Sequence, residues 1–130
     1  MSKKPNSYEG VALVSPVSIP YQRQSDKQAE WFIGSVLAGL LKDSGLDKHD
    51  IDGIAVSSFT LAPDTAVSLT NYFSMTPRWL ETIPLGGASG VVAMRRAARA
   101  IQAGDAEVVA CIGGDTANAE SFGRLIDNFS

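Results

Sequence analysis

The chain has 130 residues, a formal net charge of −3 and a sequence pI near 5.0, with 45% hydrophobic and 19% charged residues. That length suffices for one domain with a real core. An acidic balance without a basic run argues against non-specific nucleic-acid binding and against an anionic membrane surface as partner.

One cysteine and one histidine leave no intramolecular disulfide and no cysteine-based metal site, so no metal centre is expected. The opening Met1-Ser2-Lys3-Lys4-Pro5-Asn6-Ser7 is polar and lacks the apolar core of a signal peptide. No apolar run approaches the roughly 20 residues that cross a bilayer. A cytoplasmic location is the expectation.

In chain order, residues 1–8 are expected to form a disordered or loosely held tail. Residues 10–15 (Gly-Val-Ala-Leu-Val-Ser) are a short apolar run and predict a first strand. A loop with two prolines follows. Ser25-Asp26-Lys27-Gln28 matches a capping box. Behind it, Ala29, Phe32, Ile33, Val36, Leu37, Leu40 and Leu41 form one apolar helical stripe, with Gly45 as its stop. Trp31 lies off that stripe, as a partly exposed packing residue or as a contact with a second subunit or domain.

Residues 51–58 predict a second strand. Asp64 is placed to cap a short helix carrying Ala66, Leu69, Tyr72 and Phe73. Residues 79–84 lead through a third strand into Leu85-Gly86-Gly87-Ala88-Ser89-Gly90. An Ala-rich helix then runs from about Ser89 to Gln102 and stops at Gly104. Residues 107–112 predict a fourth strand, nearly all apolar, as in a sheet covered on both faces. Phe122, Leu125, Ile126 and Phe129 form a further helical stripe.

Alternation of strand and helix implies an α/β domain with a mostly parallel sheet. Ligand sites in such sheets lie beyond the carboxyl ends of the strands. Here those ends are residues 58–60, 85–89 and 113–116. The glycine turn aims backbone N–H groups and the positive end of a helix dipole at one point, as an anionic ligand or oxyanion requires. It is not a phosphate-binding P-loop, because no Gly-Lys-Ser/Thr follows. It is not a dinucleotide fingerprint, because it follows the third strand. Its glycines serve either close backbone approach or a ligand-facing, oxyanion-type role.

Four stretches together carry a family resemblance. They are the helix from Ser25 ending in Ser44-Gly45-Leu46; Asp50-Ile51-Asp52-Gly53-Ile54; Pro77-Arg78-Trp79-Leu80-Glu81; and Gly86-Gly87-Ala88-Ser89-Gly90 with its helix through Gly113-Gly114-Asp115. In order and spacing they resemble the N-terminal half of a thiolase, in the branch similar to sterol-carrier-protein-type thiolases and their bacterial relatives. The resemblance implies one incomplete half of a five-layered αβαβα fold over residues 1–130. It implies action on acyl-CoA thioesters, as acyltransferase or carbon–carbon lyase, with the CoA thioester as substrate and no bound cofactor. It also implies a homodimer, or a hetero-oligomer with another thiolase-like or OB-fold subunit.

The family's nucleophilic cysteine falls on Gly87, which offers no side chain to acylate. No catalytic side chain is therefore assigned. Residues Gly86, Gly87, Ala88, Ser89 and Gly90 are expected to form a substrate-binding or oxyanion turn. Relatives similar to steroid side-chain aldolases also lack the usual cysteine chemistry and cleave β-hydroxyacyl-CoA by retro-aldol reaction. A non-catalytic subunit that binds a partner chain is the competing expectation.

Other candidates have plainer readings. Cys111, within Val108-Val109-Ala110-Cys111-Ile112, reads as a core residue. Ser89 reads as a helix cap, and His49 as a solvated loop residue at the opposite edge of the sheet. Arg95, Arg96 and Arg99 need carboxylate partners if buried, with Asp105, Glu107 and Asp115 as candidates.

Overall fold

A computed structural model describes residues 7–61 and 64–116, together with Gly123, Ile126 and Asp127. Its elements in chain order are α1 (Ala29–Ser44), β1 (Gly53–Ser57), α2 (Ala66–Phe73), β2 (Trp79–Thr82), α3 (Ser89–Ala103) and β3 (Val109–Gly113). The three strands form one parallel sheet in the order β2-β1-β3. Gly53 pairs with Trp79 on one side and Val109 on the other, and Ser57 pairs with Gly113. The α/β class and the parallel sheet are as the sequence predicts.

The period-2 alternation of β1 sorts the layers. Ile54 and Val56 point to one face, where they meet Ala29, Ile33 and Leu37 of α1, Ala66 and Leu69 of α2, and Ala110 and Ile112 of β3. Ala55 points to the other face, into a smaller cluster with Ile83, Ala93, Val92, Trp79 and Cys111. The sheet thus lies between α1 and α2 on one side and α3 on the other. Ile33, Val56, Leu69 and Ile83 are fully buried, each contributing on the order of 1.5–3 kcal/mol. On α3 the buried positions are Ser89, Ala93, Ala97, Ala98 and Ala100. Their short side chains let this helix lie close to the sheet.

Both long helices stop where the sequence places their glycines. Gly45 caps α1 by donating to the Leu41 carbonyl, and Gly104 caps α3 by donating to the Ala100 and Ile101 carbonyls. The starts differ from expectation. No capping box forms at residues 25–28, because Ser25 Oγ accepts from the Lys27 N–H in a local turn. The N-cap of α1 is Gln28, without a side-chain cap. Thr65, not Asp64, caps α2, accepting from the Val67 N–H at 3.3 Å. A capping box does occur at residues 47–50, where Asp47 and Asp50 close a single 3₁₀ turn before β1.

Residues 10–15 form no strand, which corrects the expectation from their apolar run. They have no ladder partner, Leu13 is 81% and Val14 69% exposed, and Ser15 takes a positive φ of 53° that breaks extended geometry. The preceding residues are held instead by α3: Arg99 Nη1 donates to the Ser7 carbonyl at 2.9 Å, and Gln102 Nε2 to the Glu9 carbonyl at 3.1 Å. The Tyr8 ring lies 4.3 Å from the Arg99 guanidinium. Of the stripe at residues 122–129, Phe122, Leu125 and Phe129 lie outside the described residues; Ile126 is helical and half exposed. No helix among the described residues is long and apolar enough to cross a membrane.

Candidate functional site

Parallel strands place residues 58–61, 83–90 and 113–116 together at the carboxyl edge of the sheet. The segment after β2 is the most unusual of the three. Gly86–Ala88 form a 3₁₀ turn that runs directly into α3 at Ser89. Gly86 opens it at a φ of +64°, which a side chain would resist. The Ser89 N–H closes the 3₁₀ turn onto the Gly86 carbonyl. The i→i+3 pattern of a 3₁₀ turn over Gly86–Ala88 begins with the Ala88 N–H on the Leu85 carbonyl, so the N–H groups of Gly86 and Gly87 precede its first bond and have no partner within it. They sit at the positive end of the α3 dipole.

Gly87 differs from Gly86. It is exposed, its φ is not positive, and a Cβ added there would meet nothing within 4 Å. Gly90 is likewise exposed and open. Ala88 is exposed and occupies the N-cap position without a side-chain cap.

Ser89 is neither a free nucleophile nor the expected helix cap. It is 5% exposed. Its Oγ donates to the Ile83 carbonyl at 3.0 Å and accepts from the Leu85 N–H at 2.9 Å. Both partners precede the turn, so Ser89 fastens the turn to the end of β2 instead of capping α3. His49 stands exposed in the 3₁₀ turn before β1, at the amino end of the sheet. It is therefore at the far end of the strands from Ser89, as expected. Cys111 packs under α3 against the smaller core cluster, and burial raises its thiol pKa above the ordinary value. A half-buried thiol whose pKa is raised stays protonated near neutral pH and serves as a packing residue.

The expected carboxylates do not pair with the α3 arginines. Arg96 pairs with Glu81 of β2, and Arg99 binds the Ser7 carbonyl and Gln102. Arg95 and Arg96 are exposed, so burial imposes no pairing on them. Asp115 is engaged elsewhere: its Oδ1 accepts from Ser58, Phe59 and Thr60. Sequence spacing conceals this role, because its partners lie 55–57 residues away. The one available signal is that both segments follow adjacent parallel strands.

A cleft of about 620 Å³ opens on the α1 side of the same edge. Phe32, Val36, Ile19 and Pro20 give it an apolar wall, and Gly113–Thr116 line its floor. It shares Asp115 with the 58–61 loop but lies across the sheet from α3. Among the described residues, no group of three or more His, Cys, Asp or Glu side chains is placed to hold a metal ion. No family model matches the chain, and no curated protein matches it.

Proposed function

We propose that this chain is a thiolase-like protein, one half of a five-layered αβαβα fold, that binds acyl-CoA thioesters and acts on them without cysteine acylation. The observation that carries the reading is the turn itself. Two N–H groups, of Gly86 and Gly87, stand at the start of the turn that leads into α3, and the exposed, open Gly87 lets a substrate approach them. Such donors suit the oxygen of a thioester as it takes on negative charge.

The reaction in keeping with a missing nucleophile is retro-aldol cleavage of a β-hydroxyacyl-CoA. A base removes the β-hydroxyl proton and the Cα–Cβ bond breaks. Its electron pair moves into the thioester as an enolate, which the turn stabilises, and Cα is then protonated. The products are a shorter acyl-CoA and a ketone or aldehyde. Neither Ser89, engaged on both sides, nor His49, at the other end of the sheet, supplies the base. It comes from a second half or a partner subunit, thiolase-like or OB-fold, in a cytoplasmic homodimer or hetero-oligomer.

The test is to incubate the protein, together with the second half or partner subunit that supplies the base, with acetyl-CoA and, separately, with a β-hydroxyacyl-CoA and to follow products by mass spectrometry. Cleavage without acetyl transfer is expected. Acetyl transfer at ordinary thiolase rates overturns the proposal.

A second reading is a non-catalytic subunit. It is favoured by the lack of an available acid or base on the turn and by the exposed Leu85 and Val91 beside it. A stable complex with a cysteine-bearing thiolase-like chain, with turnover confined to that chain, would select this reading.

A further inference from the structure

The loop after β1 is held by one carboxylate oxygen. Asp115 Oδ1 accepts from Ser58 Oγ at 2.9 Å, the Phe59 N–H at 2.6 Å, the Thr60 N–H at 2.8 Å and Thr60 Oγ1 at 3.0 Å. Both hydroxyls extend the knot. Ser58 Oγ accepts from the Leu61 N–H at 3.1 Å, and Thr60 Oγ1 accepts from the Thr116 N–H at 2.8 Å. Hydrogen bonds to an ionised acceptor are stronger than neutral ones, and chained donors reinforce each other.

This knot fixes Phe59, the residue between the two hydroxyls. The ring reaches the glycine turn: Phe59 Cζ lies 3.4 Å from where a Cβ on Gly86 would stand. Gly86 is the left-handed residue that opens the turn, so its dihedrals direct the N–H groups behind it. Ser89 holds the turn from within, through Leu85 and Ile83, and Phe59 supports it from the side. Phe59 is itself 41% exposed. Burial alone does not hold the ring there, and its position depends on the backbone that Asp115 clamps.

We propose that Asp115 is a positioning residue for the 86–88 turn, acting through the 58–60 loop and the Phe59 ring. The proposal rests on the reading of that turn as the thioester site, and it names the residue that sets the direction of its donors. It also assigns Phe59 as the buttress that transmits the effect.

The test places a reporter where the structure has room for one. Gly87→Cys, in a Cys111→Ala background, puts a single thiol at the start of α3. Its pKa is read from alkylation rate against pH. Aligned N–H groups and the helix dipole lower that pKa. Asp115→Ala and Phe59→Ala, each added to this background, are expected to raise it by about half a unit. Asp115→Asn keeps an oxygen that accepts from the Phe59 and Thr60 N–H groups, so it is expected to restore most of the lowered value.

Loss of negative charge alone would lower the pKa in both Asp115 variants and leave Phe59→Ala unmoved. That pattern overturns the proposal. An unchanged thiol pKa accompanied by a fall in Tm also overturns it, because the knot would then be purely structural. Should Asp115→Ala fail to fold, Phe59→Ala decides, since it leaves the knot and the charge in place. Acetyl-CoA binding to the protein with its native Gly87 is measured separately by calorimetry. Its absence defeats the thioester reading without touching the thiol titration, so the two failures are distinguishable.

Discussion

The Ser89 hydroxyl reaches back six residues to the Ile83 carbonyl, donating to it at 3.0 Å while accepting from the Leu85 N–H at 2.9 Å. One side chain therefore closes the stretch between the end of β2 and the start of α3. Ser89→Ala strands a carbonyl and an amide at a buried position. The expected loss is about 1–3 kcal/mol, measured by urea unfolding. A helix cap would predict an α3 that frays while the turn stays intact. The expectation here is the reverse: faster hydrogen exchange at Leu85, with protection along α3 retained.

Gly86 and Gly87 are adjacent and not equivalent. Gly86→Ala places a side chain at a φ of +64° and 3.4 Å from Phe59 Cζ, an expected cost of about 1–2 kcal/mol. Gly87→Ala meets nothing within 4 Å at a φ that is not positive. It is expected to leave stability within about 0.5 kcal/mol. Paired urea titrations check the contrast, and equal losses at the two positions would refute it.

Helix periodicity and the glycine stops were legible because both depend on neighbours in sequence. The stripe from Ala29 to Leu41 and the caps at Gly45 and Gly104 needed no distant partner. Residues 10–15 have the composition of a strand, yet strand formation requires an edge with which to pair, and none pairs with them here. Ser25-Asp26-Lys27-Gln28 satisfies the capping pattern, but its serine finds a closer N–H two residues on. At the candidate site, the position of the turn followed from its glycines. The tie from Ser89 to β2 and the clamp from Asp115 across 55 residues are tertiary choices that spacing does not encode.

At the amino end of the sheet, Asp52 plays a part like that of Asp115. Its carboxylate accepts from the Glu107 N–H at 2.9 Å and the Val108 N–H at 2.8 Å, while Arg78 stands 3.7 Å away. The backbone bonds are shorter than the ion-pair distance, and the Arg78 side chain is mostly exposed. Asp52→Ala is expected to cost about 2–3 kcal/mol, and Arg78→Ala less than about 1 kcal/mol. Chemical denaturation of the two variants distinguishes a backbone clamp from an ion pair.

Cys111 gives the fold an alkaline dependence. Burial raises its thiol pKa above the ordinary 9.0 because a thiolate is poorly solvated beneath α3. Between those two values the unfolded chain has released a proton that the folded chain retains. The unfolded state then binds fewer protons, so stability falls as pH rises. The contribution is fully present below the ordinary thiol pKa and is lost as pH climbs through the raised one. Cys111→Ala removes the titrating group, and with it the part of the decline in Tm between about pH 8 and pH 10 that belongs to this thiol. Thermal melts of both proteins across that range test the point. Parallel slopes would show that Cys111 ionises equally well in the folded and unfolded chain, against its place in the smaller core cluster.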